Sequence, residues 1–312
     1  MIRRARLGLV GYGSLATQAL DALASSLETP LESVVCLARP HGASRARAML
    51  ETFGERLARE REVVVSLDDF FARRLTTVAE AAGHEALAEV GVACLAAGCG
   101  LIVTSVGALA RESLRASLEA ASAGGGARLT ICPGAIGGID LLDAAKLSGL
   151  EEVTYTSRKP PAAWRGTGAE DLIDLDILEQ ATVFFSGDAG RAARDFPQNA
   201  NVAATIALGG LGFERTRVEL VADPTIHRNI HEIVVRSRCA NFNFRIEGYP
   251  LPSNPRTSMT AGYALAASIL GEIGKSREVY SILMPASRTT RPVDSDSARR
   301  NSPNAAPQEA DG

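Results

Sequence analysis

Four stretches of this chain carry groups suited to chemistry. Near its start, Leu7-Gly8-Leu9-Val10 runs into Gly11-Tyr12-Gly13-Ser14-Leu15-Ala16, a G-x-G-x-x-A spacing where an apolar run meets a helix-like pattern. Gly11 permits a tight turn, Gly13 lets a pyrophosphate touch backbone, and small Ala16 lets the helix lie close on the strand. The amides that open the helix, at Ser14 and Leu15, would then face the phosphates at its positive dipole end. A turn of small residues that binds nothing has the same spacing. Farther on, Asp223-Pro224-Thr225-Ile226-His227-Arg228-Asn229-Ile230-His231-Glu232 turns one strand into the next. His231 begins that strand, with Glu232 directed to the other side, and an imidazole with its ordinary pKa near ~6.5 can take a proton at neutral pH. A structural strand histidine is the alternative. Ser157-Arg158-Lys159-Pro160-Pro161 supplies two cations after a strand, suited to a carboxylate or simply to a solvated basic loop. Phe196-Pro197-Gln198-Asn199-Ala200-Asn201 precedes an apolar helix, where an asparagine has a local use as a cap. No H-E-x-x-H, G-x-S-x-G or Walker loop is present, so metalloprotease, serine hydrolase and P-loop chemistry are set aside and no metal site is expected.

The elements that must position these groups alternate. Residues 5–10 read as a strand, 15–26 as a helix, 33–37 as a strand and 44–53 as a helix. Strands follow at 63–65 and 76–79, a helix from Gly83-His84-Glu85 to about 97, a strand at 101–104, a helix at 111–123 and a strand at 128–132. This is the pattern of a doubly wound parallel sheet, an α/β Rossmann-type fold. Ligands sit beyond the carboxyl ends of such strands, which brings Gly83, His84 and Ser105-Val106-Gly107 toward the cofactor. The second strand ends in Ala38-Arg39-Pro40-His41 rather than in an acid that would hold the ribose 2′-hydroxyl of NAD. Arg39 could instead pair with the 2′-phosphate of NADP, or be a solvated loop residue.

The character changes after Pro133-Gly134-Ala135-Ile136-Gly137-Gly138. A helix at 139–147 is followed by period-two segments at 153–157, 182–185, 217–221, 230–236 and 242–246, with a short helix at 201–208. These predict a mixed or antiparallel sheet and a second α+β domain. A last helix of small apolar residues spans 259–273, and from 285 onward Ser, Arg, Asp, Asn and Pro leave little to bury. The expected division is a dinucleotide-binding domain at 1–134, a catalytic and dimerisation domain at 135–255, a C-terminal helix at 256–284 packing back on the nucleotide domain, and a disordered tail at 285–312.

The 312 residues, 46% hydrophobic and 22% charged, are those of a globular protein. A net charge of −3 gives no reason to expect nucleic acid or an anionic membrane as partner. Five scattered cysteines without a C-x-x-C fit buried thiols in a reducing cytoplasm. The uncharged run at 90–110 is long enough to span a membrane, but Gly98, Gly100 and Gly107 interrupt it, and a buried helix followed by a buried strand explains it better. Arg3-Arg4 opens like a signal peptide, yet the apolar run after it is short and breaks at Gly11.

Several long motifs in order give a specific resemblance. Thr154 to Trp164 (Thr-Tyr-Thr-Ser-Arg-Lys-Pro-Pro-Ala-Ala-Trp), the stretches 196–213 and 222–233, Cys132 to Asp140 with Gly134-Ala135-Ile136-Gly137-Gly138, and Gly83-His84-Glu85-Ala86-Leu87 resemble the L-aspartate dehydrogenase family over residues 7 to about 273. The resemblance implies NAD- or NADP-dependent oxidation of L-aspartate to iminoaspartate, which can feed pyridine nucleotide synthesis or hydrolyse to oxaloacetate and ammonia. It implies that His231, in Asn229-Ile230-His231-Glu232, is the active-site residue, and that Ala135 and Asn201 contact the nicotinamide side. It also implies a homodimer formed through the second domain's sheet. Pro133 stands where such proteins often carry serine. A homoserine-dehydrogenase-like oxidoreductase and a dinucleotide-binding sensor without catalysis are the competing expectations.

Overall fold

The computed structural model describes residues 5–197 and 199–274. The first half builds a six-stranded sheet in chain order from β1 (Arg6–Val10), α1 (Ser14–Ser26), β2 (Leu31–Leu37), α2 (Ala43–Phe53), β3 (Ala58–Val64), α3 (Leu67–Ala72), β4 (Thr77–Glu80), α4 (His84–Ala96), β5 (Gly100–Val103), α5 (Glu112–Gly125) and β6 (Leu129–Ile131). The strands are parallel, in the order β3-β2-β1-β4-β5-β6. The order reverses beside β1, and that is where a doubly wound sheet opens a crevice. Register fixes the level of its edge: Val10 pairs with Leu37 and Glu80, and Glu80 with Val103. The loops after β1, β2, β4 and β5 therefore leave the sheet along one rim.

Burial explains why the central strands were legible and the edge was not. Val34, Val35, Cys36, Val78, Ala79, Leu101 and Ile102 are buried, as strands covered on both faces must be. The third strand starts five residues earlier than the 63–65 prediction, through Ala58-Arg59-Glu60-Arg61-Glu62. It is an edge strand paired only with β2, and charged side chains suit an open edge while hiding it from an apolar pattern. Helix α3 was also unforeseen; Ser66 caps it, its hydroxyl accepting the Asp69 N–H at 3.1 Å. The run at 90–110 resolves into the end of α4, β5 and a 3-10 turn at Val106–Ala110, and no described helix is long and apolar enough to cross a membrane.

The second half contains α6 (Ile139–Ser148), β7 (Leu150–Lys159), β8 (Thr182–Asp188), α7 (Ala189–Asp195), α8 (Asn201–Gly209), β9 (Arg217–Ala222), β10 (Asn229–Ser237) and β11 (Asn241–Gly248). Its five strands form a mixed sheet, β11-β10-β7-β9-β8, with β7 antiparallel to β10 and parallel to β9. One face buries Val153, Tyr155, Ile233 and Val235 with Trp164 and Phe196. A short hairpin, β12 (Pro250–Leu251) and β13 (Asn254–Ser258), leads into α9 (Met259–Gly274). That helix returns to the first sheet's layer, where Leu265 and Ile269 join the core formed by Leu20, Leu23 and Leu9. Expectations for residues beyond 274, including the tail, lie outside the described residues.

Candidate active site

The glycine loop is shaped by backbone. Gly11 has φ +118°, and a Cβ there would meet the Ala81 carbonyl oxygen at 2.5 Å, so only glycine fits. Gly13 caps α1 without a side-chain hydrogen bond, and a Cβ on it would meet nothing within 4 Å. The first amides of α1 thus open onto empty space, the arrangement that receives a phosphate. Ser14 begins the helix, while Ala16 is fully buried and serves helix packing. A groove of about 650 Å³ runs from this loop past Arg39, Arg45, Gly83 and His84. These residues fit a nicotinamide dinucleotide: glycine backbone for the pyrophosphate, and no acid where β2 ends. Arg39 reaches the groove as an exposed side chain. Arg45, which the sequence reading passed over, lies with its guanidinium 4.8 Å above the Tyr12 ring. Neither arginine is ion-paired among the described residues.

A second cavity, of about 160 Å³, opens beyond β1 and β5, where Leu15, Thr104 and Val106 meet Ala135, Asn201, Lys159 and His231. Strand pairing assembles it. His231 on β10 lies opposite Ser157 on β7, and alternation puts Tyr155, Ser157 and Lys159 on that same face. His231 and Lys159 are each only 5% exposed. The His231 Nδ1 and the Tyr155 hydroxyl are 2.7 Å apart, which leaves Nε2 as the ring atom available to the cavity. Burial first, then the neighbouring Lys159 charge, depresses the His231 pKa to about 3. Burial likewise lowers that of Lys159 to about 8. The lysine is held in place: its Nζ donates to Asn199 Oδ1 at 2.7 Å and lies 4.9 Å from the Trp164 ring centre.

Asn201 ties the two halves of the site together. It is the first residue of α8, and Ala200 occupies the cap position. Its Oδ1 leaves the helix, accepts the Gly107 N–H at 2.9 Å and stands 3.3 Å from His84 Nε2. The side chain is therefore a bridge to the loops after β4 and β5 rather than a helix cap. Its Nδ2 has no hydrogen-bond partner among the described residues and remains for a ligand. Ala135 lines the cavity just after Gly134, which adopts φ +68°.

Arg158 takes a different place from Lys159. It neighbours Lys159 on a strand, so the two point to opposite faces. Its guanidinium pairs with Asp223 at 3.1 Å, and it does not line the cavity. Glu232, on the face away from His231, pairs with Arg245 at 2.8 Å.

Two residues that matter here went unnoticed in the sequence. Glu80, 1% exposed, ends β4 and gathers both rim loops. Its Oε1 accepts from the Ala82 and Gly83 N–H groups and the Ser105 hydroxyl at 2.8–2.9 Å; its Oε2 accepts from Thr104 and Ser105 N–H at 3.2 and 3.0 Å. An acid closing an otherwise apolar strand was the available signal. Tyr155 was visible through its i, i+2, i+4 spacing with Ser157 and Lys159, but its partner lies 76 positions away.

A neutral buried imidazole, a buried ammonium and a bridging amide beside a dinucleotide groove can take up a proton, hold a carboxylate and orient a substrate carbon. Comparison with known proteins gives the same organisation. The family described as "Homoserine dehydrogenase, NAD binding domain" matches residues 11–131, and "Aspartate dehydrogenase, C-terminal" matches residues 140–271. The L-aspartate dehydrogenase of Ralstonia nicotianae is 42% identical over 263 residues, 84% of this chain and 96% of that protein. The one from Pseudomonas aeruginosa is 46% identical over 190 residues, 61% of this chain and 71% of its own. The crystal structure of aspartate dehydrogenase from Thermotoga maritima superposes with a TM-score of 0.63 at 25% identity, covering 86% of this chain and 95% of that one. With a glycine-loop sheet, a histidine cavity at its rim and relatives matched nearly end to end, this chain belongs to the L-aspartate dehydrogenase family.

Proposed function

We propose that the protein oxidises L-aspartate to iminoaspartate with NAD or NADP, and that His231 is the catalytic base. The observation that carries this reading is the placement of His231 and Lys159 together in the small cavity where the glycine loop meets the second sheet. A bound nicotinamide would supply the acceptor for the hydride of the substrate Cα. The amine must first be neutral. His231 Nε2 removes a proton from the substrate ammonium, while Lys159 holds a carboxylate so that Cα is presented to the ring. Gly11, Gly13 and the first amides of α1 hold the pyrophosphate; Gly83, His84, Ala135 and Asn201 line the path toward the nicotinamide end. In reverse, the proton taken up at His231 Nε2 in the forward direction returns to the amine nitrogen.

In this reading residues 1–134 serve the cofactor and 135–255 the chemistry. The outer face of the mixed sheet joins two copies into a homodimer, and the enzyme works in the cytoplasm, where its product enters pyridine nucleotide synthesis. The test is the absorbance of reduced nicotinamide with L-aspartate, L-homoserine and other amino acids, for the wild type and His231→Ala. A general base contributes on the order of 10²–10⁴-fold. Turnover on L-aspartate that falls by that order, with cofactor affinity near wild type, supports the assignment. A folded His231→Ala enzyme with near-normal turnover removes His231 from catalysis, and cofactor binding without turnover on any amino acid makes the protein a sensor.

A further inference from the structure

We infer that Tyr155 and Ser157 are positioning residues that select the tautomer of His231, so that its Nε2 meets the substrate ammonium as a lone pair. This deepens the proposed function and rests on His231 acting as the base.

The argument counts hydrogens. A neutral imidazole carries one N–H, on Nδ1 or on Nε2, and the group bonded to one nitrogen decides what the other offers. Here Nδ1 is committed to the Tyr155 hydroxyl at 2.7 Å, and both side chains are buried. A base at Nε2 requires that Nδ1 carry the hydrogen and donate it to the Tyr155 oxygen. The phenol must then send its own O–H elsewhere. Burial makes ionisation of Tyr155 more costly than in water, so its proton stays on and needs an acceptor.

Ser157 is placed to be that acceptor. It stands two residues along β7 on the same face and directly opposite His231 in the ladder. It is 0% exposed, and its Oγ completes no hydrogen bond among the described residues. A hydroxyl left so in the core costs free energy unless a partner uses it. A change of rotamer at Ser157 would bring its Oγ to the phenol and complete the chain Nδ1–H to Tyr155 oxygen, and Tyr155 O–H to Ser157 Oγ. Of the other polar residues that line the cavity, Lys159, Asn199, Asn201 and Asn229 make no hydrogen bond to Nδ1.

The arrangement also avoids a charge. With Lys159 nearby, a permanent imidazolium would be disfavoured, so the resting state must present its lone pair through tautomer choice alone.

The experiment uses the full-length protein with 15N-labelled histidine. Its four histidines make the His231 signals assignable by comparison with a His231 variant. Wild type is expected to show a protonated Nδ1 and an unprotonated Nε2. Tyr155→Phe and Ser157→Ala are expected to give tautomer mixtures and to lower kcat on L-aspartate by about 10- to 100-fold, less than an outright wrong tautomer costs in a catalytic triad. The KM for the dinucleotide stays near wild type, and Ser157→Thr, which restores a hydroxyl, recovers both tautomer and kcat. Should Tyr155→Phe fold poorly, Ser157→Ala and its threonine rescue still decide. An Nε2–H tautomer in the wild type overturns the inference, and so do folded Ser157→Ala and Tyr155→Phe enzymes with unchanged tautomer and kcat. Those results leave the base role of His231 standing if His231→Ala remains inactive, whereas an active His231→Ala removes that role itself.

Discussion

Lys159 and His231 share one buried cavity, and burial together with the lysine's charge keeps the imidazole neutral down to about pH 3. An isolated histidine would place the acid limb of the rate profile near ~6.5. Here that limb moves far below neutrality. The upper limit belongs to Lys159, which loses its proton as pH rises through about 8 and with it the attraction for a carboxylate. The kcat/KM for L-aspartate is expected to show no histidine limb between pH 5 and 8 and to fall above about 8. A step near pH 6.5 that disappears in a His231 variant would contradict this. The same depression has a stability consequence. Between about 3 and the ordinary value the unfolded chain binds a proton at His231 and the fold does not, so stability falls as pH drops through that window. His231→Asn should reduce that slope in thermal unfolding.

The adjacent cations on β7 should separate cleanly by variant. If Lys159 holds a substrate carboxylate as proposed, Lys159→Met would remove a charge-assisted contact of about 1.5–3 kcal/mol, and KM for L-aspartate should rise roughly 10- to 100-fold. Arg158→Ala breaks only the pair with Asp223 and should lower thermal stability while leaving that KM in place. Steady-state kinetics and melting curves on the two proteins check this. Equal effects on KM would return Arg158 to the substrate.

Cofactor choice should depend on two arginines, not one. Arg39 lies two residues beyond β2, and stacking of Arg45 on Tyr12 keeps a second guanidinium in the same groove. Each Ala substitution should reduce kcat/KM for NADP several-fold to ~10-fold more than for NAD, because only NADP carries the 2′-phosphate they would pair with. An NADP/NAD ratio that survives the double substitution excludes both.

Glu80 should matter to the cofactor without touching the chemistry. Its carboxylate collects four backbone N–H groups and one hydroxyl from two loops. Glu80→Gln turns an amide donor toward those donors and should cost on the order of 2–4 kcal/mol of stability, with a raised Kd for the dinucleotide. Unfolding curves and cofactor titration measure both. A melting temperature within a degree or two of wild type would mean that the loops hold without it.

What the sequence determined by itself is what local pattern can carry. The apolar strands of the first sheet, the turn at Gly11 and Gly13, and the period-two segments of the second sheet were legible because burial on one or both faces writes itself into residue spacing. The same alternation already separated His231 from Glu232. Edge strand β3 was half hidden, since a strand that faces water is charged, and α3 and the β12–β13 hairpin are too short for periodicity. Only the tertiary structure decided which polar residues meet. Asn201 had the place of a helix cap, but its Oδ1 reaches Gly107, 94 positions away, and the Tyr155 hydroxyl meets Nδ1 of His231 at 2.7 Å across 76 positions. Arg158 and Lys159 read as one basic pair, but a single step along a strand sends one to Asp223 and the other into the cavity. The depressed pKa of His231 follows from the same cause: burial and the Lys159 charge exist only once β7 and β10 lie side by side.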